Sequence, residues 1–165
     1  MDIAELKSAC AAIIDKRQTE LTALSLKIHA HPELGFQETK AAGWLTQFLK
    51  DNGFTVKKGF CGLDTAFRAS YGKGKPIIAL LAEYDALPGV GHACGHNIIA
   101  VSAVGAAFAA KAAVDQLGGT VLVIGTPAEE GQGGKIIMVD EGGFKDVDAA
   151  MMVHPASQNM ASSSN

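Results

Sequence analysis

The sequence predicts an α/β fold, a mostly parallel sheet with helices on both faces. Three observations carry that reading. Short, continuous apolar runs alternate with helical stretches over residues 77–153, which is how doubly buried parallel strands and their crossover helices read. Glycine is abundant, 19 of 165 residues, as tight turns and close backbone approaches require. The polar residues with chemistry in them collect just after the apolar runs, and open parallel sheets bind ligands beyond the carboxyl ends of their strands.

The elements follow in order. Ile3, Leu6, Cys10, Ile14, Leu21, Leu24 and Ile28 recur at helical spacings, which predicts a helix from residue 2 to about 30. Pro32 ends it, because the residue before a proline avoids the helical region. Residues 38–52 predict a second helix with Ala42, Leu45, Phe48 and Leu49 on one face and Gly53 as its stop. Residues 55–60 and 64–71 are strand-like, with a turn at Cys61 and Gly62, and look like a hairpin. GKGKP (72–76) makes the next turn, and IIALLA (77–82) reads as a buried strand. A helix over 97–117 ends at Gly118 and Gly119, and TVLVIG (120–125) is the second buried strand. Residues 134–141 form a helix stopped by Gly142 and Gly143, and 148–153 form a third strand ending at His154. The tail, 156–165, is polar and small.

Composition narrows the partners. The length suits one compact domain. A net charge of −3 excludes a sequence-wide basic field for nucleic acid or anionic lipid, so no nucleic-acid partner is expected. The 48% hydrophobic content excludes disorder. The longest apolar run, 98–110, contains Ser102 and stops at Lys111, short of the roughly 20 residues that span a bilayer, and no membrane partner is expected. The start, MDIAELKSAC, lacks the basic-then-apolar signal pattern. Cys10, Cys61 and Cys94 have no disulfide-framework spacing. A cytoplasmic location is the expectation.

Three strand ends lead into EYDALP (83–88), TPAEEG (126–131) and His154–Pro155, and GHACGH (91–96) precedes the long helix. All four would meet at one edge of the sheet. Cys94 and His96, two residues apart, offer a thiolate and an imidazole, a pair that suits zinc or a related transition metal. Two other readings stand beside it: a buried structural cysteine next to a helix-capping histidine, and a Cys–His nucleophile–base pair, which this spacing makes awkward. Glu130 and His154 at neighbouring strand ends strengthen the metal reading. Glu129 and Glu130 are adjacent, so they face one point only in a loop; there one can ligate while the other moves a proton. An ordinary acidic turn is the plain alternative. GQGGK (131–135) lacks phosphate-loop spacing and has Ile136 where Ser or Thr is needed, so its glycines are read as opening a helix next to the site. His29 and His31 are read as capping or structural groups, Cys10 and Cys61 as packed thiols.

HPELGFQE (31–38), LLAEYDALPG (80–89), GHACGHN (91–97), TPAEEGQGG (126–134) and MMVHP (151–155), in this order and spacing, resemble the N-terminal part of the di-metal aminoacylase and amidohydrolase metallopeptidase family. That family includes hippurate hydrolases, p-aminobenzoyl-glutamate hydrolases and indole-acetyl-amino-acid hydrolases. The AEYDALP form looks closest to the p-aminobenzoyl-glutamate hydrolase and dipeptidase branch.

The resemblance implies a zinc-exopeptidase-like catalytic domain holding two divalent metal ions, zinc or manganese. It implies small-molecule substrates, either N-acyl amino acids, p-aminobenzoyl-glutamate-like conjugates or dipeptides, and a homodimer for the full-length enzyme. By position, Cys94 resembles the ligand bridging the two metals, His96 and His154 ligands of one metal, and Glu130 a ligand of the other. Glu129 resembles the general base that activates the attacking water, and Asp85 an acid standing behind the ligands. Asn97 stands where many relatives carry Asp. The family places a lid and dimerisation domain after this point, then a returning catalytic half that brings a last histidine ligand, and no histidine follows His154 here. Residues 1–165 are therefore expected to be the N-terminal portion of the catalytic domain, silent in isolation. A non-catalytic metal- or partner-binding α/β module is the alternative.

Overall fold

The computed structural model describes residues 2–156. Helix α1 (Ile3–His29) begins at a capping box: the Asp2 carboxylate accepts the Glu5 N–H and the Glu5 carboxylate accepts the Asp2 N–H, both at 2.8 Å. Helix α2 (Thr39–Asp51) buries Ala42, Leu45, Phe48 and Leu49, the face its spacing predicts. Then come β1 (Thr55–Lys58), β2 (Phe67–Lys73), β3 (Ile77–Ala82), α3 (His96–Leu117) and β4 (Gly119–Gly125). A short turn α4 (Glu129–Gln132), helix α5 (Gly134–Asp140) and strand β5 (Ala149–Met151) complete the order. The second strand starts at Phe67 rather than 64, because a tight 3-10 turn at Phe60–Gly62 and a hydrogen bond from Ala66 N–H to Leu63 O occupy the chain between.

The five strands form one sheet in the order β1-β2-β4-β3-β5. β3 pairs parallel with β4 and with β5, whereas β2 is antiparallel to both β1 and β4. The fold is α/β as expected, with a mixed sheet in which β1, β3, β4 and β5 run one way and β2 runs against them. A short turn returns a strand only antiparallel, and the β1–β2 hairpin adds to the free side of β4 instead of standing apart.

Helices cover both faces. On one, Leu21 and Ile28 of α1, Leu45 and Leu49 of α2 and Val104 of α3 pack on Ala69, Val121 and Val123. On the other, Met138 of α5 and Phe60 pack on Ala79, Leu122 and Ile124. Alternate residues of β4 thus serve opposite cores, as the pleat requires.

β5 departs from expectation. The third strand spans three residues, all exposed, where the sequence predicts six residues covered on both faces. Among the described residues it lies at the sheet edge and pairs only with β3. Helix α3 is long and apolar enough, by length and composition, to cross a bilayer, because the apolar stretch resumes after Lys111 with Ala112, Ala113 and Val114. Here it lies between α1 and the sheet, with Ala100, Ala103, Val104 and Ala107 buried.

Candidate metal centre

β3 ends at Ala82, and the extended chain continues through Glu83, Tyr84 and Asp85. Side chains alternate along an extended segment. Tyr84 enters the core, stacks on Phe67 with centroids 5.9 Å apart, and its hydroxyl donates to Thr65 O at 2.6 Å. Burial pushes its phenol well above the ordinary value. Glu83 and Asp85 therefore share the opposite side, and both are buried.

β4 ends beside them, since the Thr126 N–H donates to Ala82 O at 2.8 Å. Ala128 then takes a left-handed conformation (φ 56°), and its N–H donates to the buried Glu38 carboxylate at 2.8 Å. The other oxygen of Glu38 accepts the Thr65 hydroxyl at 2.8 Å. Burial pushes the Glu38 carboxyl up, against the pull of these bonds. After this kink, Glu130 and Gly131 leave helical geometry within α4. Two adjacent carboxylates are thereby aimed at one point: Glu129 Oε2 lies 3.8 Å and Glu130 Oε1 3.7 Å from His96 Nε2. Asp85 Oδ2 accepts the Glu130 N–H at 2.9 Å.

His96 opens α3 and is 1% exposed. Its Nδ1 faces two acceptors, Asp85 O at 2.9 Å and Asp85 Oδ1 at 3.0 Å, so Nδ1 carries the proton and Nε2 presents its lone pair inward. Among the described residues, no hydrogen-bond partner meets that Nε2. Burial alone would lower the pKa of His96, but the Asp85 bond and charge outweigh it and raise it. Burial alone would raise Asp85, but the His96 and Glu130 bonds bring it below its ordinary value.

His154 follows β5. Its Nδ1 donates to Pro155 O at 2.8 Å, and its ring stands edge-on to His96 with centroids 6.0 Å apart. Gly95 permits the approach: it is left-handed (φ +79°), and a Cβ there would lie 2.8 Å from Pro155 Cγ. Cys94 is half-buried, and a hydrogen bond with Glu130 raises its thiol pKa.

Among the described residues, two groups of three place ligand atoms within 4.8 Å of one another: Glu83, His96 and His154, and His96, Glu129 and Glu130. His96 belongs to both. Glu129, Glu130, His96 and His154 are thus brought together, with Asp85 behind His96. Cys94 stands outside both groups and joins them through Glu130. Glu83 is the residue that sequence reasoning missed. The available signal was its position two before Asp85 on an extended run, which puts both on one side. The glycines after the acidic pair do open a helix, and its Lys135 ion-pairs with Glu83. Burial pushes the Lys135 ammonium down to about 8. His31 Nδ1 caps Lys27 O at 2.8 Å and its ring packs edge-on against Trp44.

This donor set suits a divalent cation. Buried polar atoms without partners are costly in a dry site, and two here, His96 Nε2 and Glu83 Oε2, converge among carboxylates.

Residues 79–163 match the family described as Peptidase family M20/M25/M40. The chain belongs to that family. Among curated relatives, the Xaa-Arg dipeptidase of Mus musculus is 41% identical over 94% of this chain and 39% of its own length. A p-aminobenzoyl-glutamate hydrolase polypeptide of Escherichia coli (strain K12) is 42% identical over 86% of this chain and 34% of its own. The chain therefore spans less than two fifths of the length of either relative in those alignments. Two solved structures share the fold. A putative aminohydrolase from methicillin resistant Staphylococcus aureus superposes with a TM-score of 0.75 at 27% identity, covering 87% of this chain and 41% of that one. A Bacillus subtilis protein described as a dinuclear metal binding peptidase of the M20 family gives 0.73 at 28% identity, covering 82% and 42%.

Proposed function

We propose that the chain carries part of the catalytic centre of a metal-dependent amidohydrolase. Its substrates are N-acyl amino acids, p-aminobenzoyl-glutamate-like conjugates or dipeptides, cut at the amide bond beside a free carboxylate. The observation that carries this reading is the buried, unpartnered Nε2 of His96, held in one tautomer by Asp85 and faced by Glu129 and Glu130. Membership of the M20 family supports it, as do relatives named as an Xaa-Arg dipeptidase, a p-aminobenzoyl-glutamate hydrolase and, in Bacillus subtilis, an N-acetyl-L-cysteine deacetylase.

In this reading Cys94, His96, Glu130 and His154 hold two divalent ions, zinc or manganese. When bound, such ions polarise the scissile carbonyl and acidify water. Asp85 keeps the His96 proton on Nδ1, so that Nε2 stays a donor of its lone pair. Its second oxygen holds the Glu130 backbone, which fixes where the acidic pair begins to turn. Glu129, the more exposed of that pair, takes the proton of the attacking water and passes it to the leaving amine. The same reading assigns residues 1–165 to the N-terminal portion of the catalytic domain of a homodimeric enzyme, with the lid and dimerisation domain and the second catalytic half supplied by a longer chain. The short coverage of the relatives supports that assignment.

Glu129 and Glu130 separate base from ligand. In the whole enzyme, Glu129→Gln lowers turnover by about 10²–10⁴-fold with metal content intact, whereas Glu130→Gln lowers the occupancy of one metal site. Elemental analysis beside a turnover assay reads both. Equal metal loss in the two variants overturns the division of roles.

A further inference from the structure

We propose that Glu83 is an additional metal ligand at this centre, held in place by Lys135. The inference rests on the metal reading above. Glu83 lies one residue beyond β3 and is 1% exposed. Its two oxygens are treated differently. Oε1 is ion-paired with the Lys135 ammonium, which reaches in from the first turn of α5. Oε2 is buried, has no hydrogen-bond partner among the described residues, and lies 3.6 Å from His96 Nε2, which has none either.

A structural ion pair explains Oε1 and leaves Oε2 unexplained. In the neutral imidazole, with its proton on Nδ1 facing Asp85, the atoms across the 3.6 Å gap are two lone-pair donors with no hydrogen between them. Two such groups facing each other without water are unfavourable. A cation between them removes the conflict. Ligand atoms each bound at about 2.0–2.2 Å in tetrahedral geometry stand roughly 3.3–3.6 Å apart, and the observed gap matches. A ligand atom of His154 completes a three-membered group within 4.8 Å.

Lys135 has a separate task. Burying a carboxylate without a counter-charge is expensive, and the ammonium on Oε1 supplies that charge while stopping the carboxylate from rotating. Oε2 is thereby left pointing at His96. This gives the lysine of the GQGGK stretch, which does not fit a phosphate loop, a place beside the ligands.

The test is a cobalt(II) titration of the chain followed by visible absorption, since band position and intensity report ligand type and number, with circular dichroism to confirm folding. Glu83→Gln is expected to weaken cobalt affinity by at least about a hundredfold and to change the spectrum. Lys135→Met is expected to weaken it about tenfold, the size of loss typical of a group that orients a ligand, with the band shape retained. His96→Ala abolishes binding at this site. If Glu83→Gln does not fold, Glu83→Asp keeps the charge on a shorter arm and is expected to show the same weakened affinity and altered spectrum. Wild-type affinity and spectrum in Glu83→Gln, or in Glu83→Asp where that stands in, overturn the assignment and leave the His96-based metal reading standing. Absence of cobalt binding by the wild-type chain overturns both.

Discussion

His96 and His154 reach the same point from different kinds of structure. His96 opens a helix that packs on the sheet, is 1% exposed, and is held on Nδ1 by Asp85, whose other oxygen holds the Glu130 backbone. His154 follows a three-residue edge strand with every residue exposed, and its own hydrogen bond goes to the neighbouring Pro155. One histidine is positioned by the core. The other is positioned by three register pairs with β3 and by the close fit of Pro155 over Gly95. Opening free energies vary across a fold, and the His154 side is expected to open before the His96 side.

The largest expected effect tests that contrast directly. Tyr84→Ala removes a fully buried ring from between Glu83 and Asp85 and should cost about 3–5 kcal/mol. Met151→Ala in β5, at a residue 54% exposed, should stay within about 0.5 kcal/mol. Urea denaturation of both variants measures the difference, and similar losses would erase the distinction between core and edge.

A smaller effect sharpens the edge side alone. Gly95→Ala places a side chain at a left-handed position and within 2.8 Å of Pro155. The strain is expected to cost about 1–2 kcal/mol. Amide hydrogen exchange should quicken in β5 while protection around Tyr84 stays unchanged. Uniformly faster exchange would mean that the two sides open together.

The smallest concerns the chain leading into β5. Arg68 of β2 makes two hydrogen bonds to Asp146, at 3.0 and 2.5 Å, and holds that carboxyl below its usual range. A carboxylate depressed in the folded state stabilises above its unfolded pKa of about 3.9, and the contribution is lost as pH falls through the lower folded value. The Asp146 side chain is half exposed, so solvent screening leaves a few tenths of a kcal/mol. Arg68→Met should therefore trail the wild type slightly at pH 6 in urea midpoints, by a margin that shrinks as the pH falls. A gap that widens at low pH would reverse the assignment.

The local elements were legible because their patterns are local. The apolar period of residues 3–28 predicts α1, and Gly118 and Gly119 mark the end of α3. IIALLA matches β3 residue for residue. The polar segments after β3 and β4 do share one edge, because parallel strands carry their carboxyl ends together. The joining of the hairpin to β4 was not legible, since Phe67–Gly125 and the pairs after it lie about fifty residues apart and leave no local trace.

Local pattern alone told helix from strand in most segments, marked the edge that gathers the chemistry, and put His96, Glu129, Glu130 and His154 near it. Contacts between distant segments were needed to show that Glu83 faces His96 with an unpartnered oxygen, that Lys135 holds its other oxygen, that Cys94 joins through Glu130, and that β5 lies open at the edge. The reason is physical. Period and punctuation record what each residue asks of its own backbone, whereas burial and pairing depend on which distant segment arrives to cover it.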